Sequence, residues 1–561
     1  MKIPRPILFA LVGGLALLSG CSTTPAGTVQ AGAPVVDMAS GVVRGIRENE
    51  ADVFRAIPYA LAPVGDRRWR PPAPLPRWAG VRDAQQPGVA CMQPAMAAGP
   101  YNRGQQAMSE DCLTLDITAP TDARNAPVMV WIHGGTLIWG TGHSPMYDGQ
   151  AFAKRGVILV SINYRLGVLG YLAHPGLSAE SPDQVSGNYG LLDQIAALQW
   201  VRDNIAAFGG DANNVTIFGE SAGALSVEYL LASPPAHGLF DRAIVQSGYL
   251  FTTPELRDAR YEEFSAEAIG SWLGSTLSAP TVADLRAMDA ETLVSGAATA
   301  GYAPYGTVDG KILKRQLVDT FERGEQARVP LLAGFTSGEI RGLRFLLPPL
   351  PADQETYVTD VRARYGNLAD TYLRLYPPVD LAQTQLAASR DVVFGWASER
   401  LVRNQAAIGQ PSYLYVFDHD YPAAAAADLT AFHASEVPFV FGTLTRTPSF
   451  WPAIPDTAQE RGLSDAMLDY WTSFARTGRP TAANGPDWDP FAQDHAYMTF
   501  SDAPALSRRF MPGMYDLHEQ VMCRRRAGGQ QSWNWRSGSQ APVLPPPVSA
   551  CPAEAEAATT R

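Results

Sequence analysis

Residues 214–224, NVTIFGESAGA, carry the strand-favouring Val215, Thr216, Ile217 and Phe218 into Gly219-Glu220-Ser221-Ala222-Gly223, after which the chain turns small and helical. This is a G-x-S-x-G element with a strand before it and a helix after it. A sharp turn between two such elements lifts the Ser hydroxyl above the edge of a sheet, and the flanking glycines let neighbouring segments approach without a Cβ clash. The start of the following helix offers free backbone N–H groups to a developing negative charge. Ser221 is therefore expected as a nucleophile.

Working outward, 127–135, 156–164, 242–248, 329–335 and 412–418 are further short apolar runs bounded by turn residues, and each reads as a buried strand. Between two of them Leu191, Ile195, Leu198, Val201 and Ile205 recur at helical spacing. The alternation implies an α/β fold with a largely parallel central sheet covered by helices on both faces. The segment from about 250 to 410 is more helical and is expected as an insertion over that sheet. The chain shows no internal repeats.

The 561 residues, 46% hydrophobic and 18% charged, can bury a large core. A net charge of -11, from 44 basic and 55 acidic residues, argues against a nucleic-acid partner, which needs clustered Lys and Arg. The one basic run, Arg524-Arg525-Arg526, is expected as solvated surface. At the other end Lys2 and Arg5 precede an apolar run from Ile7 to Leu18, too short for a membrane span, so 1–20 read as an export signal. Leu18-Ser19-Gly20-Cys21 resembles a bacterial lipoprotein box, which implies cleavage before Cys21 and lipidation of its thiol. Residues 21–35 are then a flexible tether, and Ser22 in place of an Asp implies anchoring at the outer membrane, facing the periplasm or cell surface. The main domain is expected over 36–524, and 525–561 as a low-complexity, poorly ordered tail. Without Cys21, four cysteines remain, and in an oxidising setting they allow three pairings. The local pairs, Cys91 with Cys112 and Cys523 with Cys551, are the expected bridges.

A serine at neutral pH needs a base to take its proton, and the base needs a carboxylate to orient it. In the chain order Ser, acid, His, Glu339 follows the strand 329–335 and His433 follows the strand 412–418 by a longer loop. His419, in FDHDYP, lacks a spaced partner for a metal and reads as part of a turn, and no zinc, phosphate or other cofactor signature is found. An attacked ester carbonyl becomes an oxyanion, so donors must already point at it. The strand ending His133-Gly134-Gly135-Thr136 has the tight backbone that exposes N–H groups.

With these motifs in order, the chain resembles the type-B carboxylesterases, the α/β-hydrolase family that includes cholinesterases and bacterial p-nitrobenzyl esterases. The likeness spans about 36–520 and includes VFRAIPYALAPVGDRRWRPP, EDCLTLDI, the HGG loop, NYRLGVLGYLA, GFTSGE and FHASEVPFVFG. It implies an esterase acting on small-molecule esters through an acyl-enzyme, with Ser221 as nucleophile, Glu339 as triad acid and His433 as general base. It also implies Gly135, Thr136 and Ala222 as backbone donors to the oxyanion, and Cys91–Cys112 as the family's first disulfide. Three residues depart from the pattern: Thr136 and Thr430 stand where glycines are usual, and Ile340 where a Gly commonly follows the acid. Thr136 is expected to narrow the space beside the reacting carbonyl and to disfavour esters of tertiary alcohols. The loop between Cys91 and Cys112 holds no Trp, so choline esters are not the expected substrate. Other readings of the same groups are lactone hydrolysis, acyl transfer to an alcohol, and a non-catalytic binding role.

Overall fold

The computed structural model describes residues 32–102, 104, 106–531 and 536–551. The export signal, Cys21 and the tether as far as residue 31 lie outside the described residues. Within them an eleven-stranded sheet organises the molecule. Numbered along the chain, its strands are β1 (Ile46–Glu48), β2 (Ala51–Pro58), β3 (Thr114–Pro120), β4 (Ala126–Ile132), β5 (Ile158–Ile162), β6 (Gly210–Glu220), β7 (Arg242–Gln246), β8 (Leu331–Thr336), β9 (Ser412–Phe417), β10 (Ala496–Phe500) and β11 (Pro504–Arg508). The spatial order is β11-β10-β9-β8-β7-β6-β4-β5-β3-β2-β1. The seven strands from β10 across to β5 run parallel, and antiparallel strands close both edges.

Each strand expected from the sequence is present, and the reason is visible in how its side chains divide. Successive strand residues point to opposite faces. Along β4, Val128, Val130 and Ile132 enter one hydrophobic core, while Met129 and Trp131 enter the other. A strand buried on both faces reads as a continuous apolar run, which is why the periodicity of two is hidden in the sequence. Helix α1 (Tyr189–Asn204) carries Leu191, Leu198 and Val201 into the first of these cores.

The order reverses at β4. From it the chain steps outward to β5, then returns to the other side of β4 as β6. In open parallel sheets that reversal leaves a crevice beyond the carboxyl ends of the strands, where ligands bind. Four expected site segments end up there: His133 follows β4, Ser221 follows β6, Glu339 lies just beyond β8, and His433 comes after β9.

The helical segment 250–410 lies in two pieces on either side of β8, the strand expected at 329–335. Two expectations are corrected. The run Arg524-Arg525-Arg526 is no solvated surface. Arg524 and Arg525 are buried, and Arg526 pairs with Glu322 and Asp319. Nor are residues 536–551 a poorly ordered tail. Ser537, Ser539 and Ala541 are buried, Leu544 packs with Tyr357, Tyr365 and Tyr372, and Leu544 N donates to Arg364 O at 2.8 Å. Both local disulfides, Cys91–Cys112 and Cys523–Cys551, are formed. Among the described residues no helix is long and apolar enough to cross a membrane.

Candidate active site

The turn after β6 has a backbone that its two glycines make possible. A Cβ at Gly223 would fall 2.0 Å from Ile132 O, and one at Gly219 would fall 2.7 Å from the same oxygen. The turn is thus pressed against the end of β4, and any side chain at either position would force it away. Between them Ser221 takes φ +57° and ψ -122°, a region that essentially only glycine enters freely, at a cost of about 1–3 kcal/mol. Two backbone bonds hold it there: Ser221 N donates to Gln246 O at 2.9 Å, and Leu225 N donates to Ser221 O at 2.9 Å. Although Ser221 caps helix α2 (Ala222–Ala232), its side chain makes no capping hydrogen bond. The hydroxyl is not spent on the helix it begins.

The acid and the imidazole meet across two loops. Glu339 is fully buried; its Oε1 accepts from Thr336 N at 2.9 Å, and its Oε2 lies 2.5 Å from His433 Nδ1. The loops are also stitched by backbone, with Gly338 N donating to Ala431 O at 2.8 Å. Gly338 has no room for a side chain, since a Cβ there would meet Thr430 Oγ1 at 2.6 Å. A carboxylate on Nδ1 leaves Nε2 as the nitrogen that faces the rest of the site. That nitrogen lies 3.1 Å from Oε1 of Glu220, the residue joined to Ser221.

Two carboxyl groups that sequence reasoning did not assign to the site surround this ring. Besides Glu220 there is Glu436, whose Oε1 accepts from Gln246 Nε2 at 3.0 Å. Gln246 in turn accepts from Trp471 Nε1 at 3.1 Å, so one residue ties β7, the Ser221 backbone and Glu436 together. Burial and the neighbouring Glu220 push the Glu436 carboxyl well above its usual range. Burial also works against a charged imidazole, but Glu220, Glu339 and Glu436 outweigh it and raise His433 to about 9. The surroundings therefore stabilise an imidazolium, the species formed when the ring takes a proton from a hydroxyl. The sequence signal was present, a Glu beside the Ser and a Glu three residues past the His, but only the fold brings the two together.

The loop after β4 closes the site from the other side. A Cβ at Gly134 would fall 3.2 Å from Ser221 Cβ, so this loop lies directly against the hydroxyl-bearing turn. Gly135 takes φ +114°, followed by Thr136 at +55° and Leu137 at +60°. Gly135 O accepts from Ile138 N, from Trp139 N and, at 2.8 Å, from the Thr136 hydroxyl, whose side chain is exposed. Thr430 too has a left-handed φ, +50°. Both Thr departures thus hold a conformation that glycine would adopt without strain.

A line of aromatic rings leads away from His433. Phe394, carried by the π-helical turn Asp391–Gly395, lies 5.3 Å from the imidazole; Tyr249 is 6.0 Å from Phe394; Phe251 is 4.8 Å from Tyr249; and Tyr305 is 5.3 Å from Phe251. His419 belongs elsewhere. It is buried with Nε2 2.6 Å from Glu460 Oε2.

Comparison with known proteins identifies what this arrangement is similar to. The model of the carboxylesterase family matches residues 32–516. A fumonisin B1 esterase of Sphingopyxis macrogoltabida is 38% identical over 482 residues, 82% of this chain and 85% of its own. The para-nitrobenzyl esterase of Bacillus subtilis is 36% identical over 467 residues, 81% of this chain and 92% of its own. Among solved structures, a PNB esterase superposes with a TM-score of 0.73 at 33% identity, covering 84% of this chain and 96% of that one.

Proposed function

This chain belongs to the carboxylesterase family, whose members are carboxylic ester hydrolases, and on that premise we propose that it cleaves esters through a covalent acyl-enzyme on Ser221. Ser221 Oγ attacks the ester carbonyl carbon while its proton passes to His433 Nε2. The carbonyl oxygen becomes an oxyanion that accepts from the N–H groups of Gly135, Thr136 and Ala222. Collapse of this intermediate expels the alcohol, which takes the proton back from the imidazolium and leaves the acyl group on Ser221. Water then attacks with His433 again as base, and the acid is released. Glu339 holds the ring through Nδ1, which leaves Nε2 to take the hydroxyl proton, and stabilises the charge the ring then acquires. The observation that carries this reading is the 2.5 Å contact of Glu339 Oε2 with His433 Nδ1, beside a strained Ser whose hydroxyl its helix leaves free.

The aromatic line beyond His433 supports esters with an apolar part long enough to lie against several rings. Relatives named for fumonisin B1 and para-nitrobenzyl esters are consistent with small-molecule esters of that kind. A panel of p-nitrophenyl esters of increasing acyl length, followed by natural esters and lactones, tests this. Activity rising with acyl length supports the apolar reading, whereas equal rates on acetate and longer chains contradict it.

The two disulfides suit an exported protein in an oxidising compartment. We further propose that residues 1–20 direct export, that Cys21 is lipidated, and that 21–35 tether the enzyme to the outer membrane. Cys21→Ser should shift the protein out of the detergent-dependent membrane fraction, and identical partitioning of mutant and wild type would rule the anchor out.

A further inference from the structure

The loop closed by Cys91–Cys112 sends one side chain into the catalytic neighbourhood. Tyr101 donates its hydroxyl hydrogen to the carbonyl of His433 at 3.1 Å. Its ring packs edge-on against the His433 imidazole with centroids 6.3 Å apart, against Trp451 at 6.3 Å, and beside Phe432 at 6.4 Å. The same hydroxyl fills a notch in the acid loop. A Cβ built at Gly342, three residues past Glu339, would fall 2.1 Å from the Tyr101 oxygen and 3.3 Å from Cζ. Gly342 has φ -79° and ψ -13°, a backbone any residue adopts. What excludes a side chain there is therefore the Tyr101 hydroxyl and not the local conformation. Burial, together with the nearby Glu220, Glu339 and Glu436, keeps the phenol protonated and hence a donor.

We propose that Tyr101 is a positioning residue: its hydroxyl, wedged between the Glu339 loop and the His433 carbonyl, locks the two loops in the register that lets His433 accept the Ser221 proton. This rests on the acyl-enzyme reading above. The loss of one such bond is expected to cost about three- to tenfold in kcat.

The test is a double-mutant cycle on the full-length enzyme, with kcat, KM and the pH dependence of kcat/KM measured for each variant. Tyr101→Phe keeps the ring and removes the hydroxyl. It should lower kcat by about three- to tenfold with KM little changed, and should move the acid limb of the profile to lower pH as the Glu339–His433 contact loosens. Gly342→Ala should do the same, because the new methyl displaces the hydroxyl. In the Tyr101→Phe background the 2.1 Å clash is gone and only the 3.3 Å approach to Cζ remains, which a shift of a few tenths of an ångström relieves, so the double variant should be little slower than Tyr101→Phe alone. A Tyr101→Phe enzyme with wild-type kcat and pH profile would overturn the proposal, as would a Gly342→Ala penalty of equal size in both backgrounds. Ser221→Ala and His433→Ala separate this from the parent reading. If they spare hydrolysis, the acyl-enzyme mechanism itself has failed; if they abolish it while the cycle is flat, only the role of Tyr101 has.

Discussion

The two disulfides close loops of nearly equal length, with sequence separations of 21 and 28, yet they brace different things. In the chain-entropy picture each restricts the unfolded chain by a similar amount, about 3 to 4 kcal/mol. The Cys91–Cys112 loop reaches the site on two sides. Gln93 exchanges two 2.9 Å hydrogen bonds with Gly140, and Pro94 O accepts from Trp139 Nε1 at 3.0 Å, which props the glycine loop; Tyr101 reaches His433 on the other flank. The Cys523–Cys551 loop lies on the helical cover. It brings Pro545 O to Arg524 Nε at 2.7 Å and Gly538 N to Tyr365 OH at 3.2 Å. Equal entropy does not mean equal function: what a bridge contributes to catalysis depends on which loops its enclosed residues touch.

The site side of this contrast stands on Ser221. Ser221→Ala should lose at least ~10³-fold in kcat with the fold intact by circular dichroism, because only binding and the oxyanion donors remain. A variant keeping a tenth of the wild-type rate would remove the reason for calling one bridge catalytic.

Next in size is the selectivity of the glycine loop that Gln93 props. If Thr136 narrows the space at the carbonyl, Thr136→Gly should raise the ratio of tert-butyl to ethyl ester kcat/KM, by roughly 10- to 200-fold. The added flexibility of glycine can slow both esters, so the ratio is the quantity to follow. A wild-type enzyme already cleaving both at similar rates would show that Thr136 does not gate the site.

The bridges can then be compared directly. Replacing either cysteine pair by serines should lower stability by about 2–5 kcal/mol in denaturant unfolding. Only the loss of Cys91–Cys112 should also lower kcat per titrated active site, by a few-fold. If removal of Cys523–Cys551 slows catalysis just as much, the two loops do not differ in the way described.

A smaller effect sharpens the electrostatics. His433 must be neutral to act as a base, and its carboxylate neighbours raise it to about 9. The acid limb of kcat/KM should therefore lie above the usual histidine range, with activity lost as pH falls through it. Glu436→Gln withdraws one of those neighbours and should move the limb to lower pH. An unmoved limb would show that Glu436 does not act on the ring.

The same contrast explains what the sequence revealed. The elbow, the parallel strands and the local cysteine pairs were legible because each depends on residues close in the chain: two glycines around Ser221, apolar runs of strand length, short spacings between thiols. Glu339 and His433 could be located by chain order. What stayed hidden depends on contacts between distant segments. The two Thr departures occupy left-handed backbone that their residue type disfavours, and Glu220 and Glu436 acquire meaning only beside His433. The segment 536–551 has the composition of a loose tail, and nothing within it announces the tyrosines at 357, 365 and 372 against which it folds. A basic run reads as surface until its partners, Glu322 and Asp319, are seen to lie about 200 residues upstream.

The central claim is that Ser221, and no other hydroxyl, carries the acyl group. The enzyme should be stopped with an organophosphate, or quenched during turnover of a slow ester, and the peptide containing Gly219 to Ala224 weighed and fragmented. The expected result is a stoichiometric adduct on Ser221 that disappears in Ser221→Ala and forms far more slowly in His433→Ala. Full inactivation with the label on any other residue, or with Ser221 unlabelled, would contradict it.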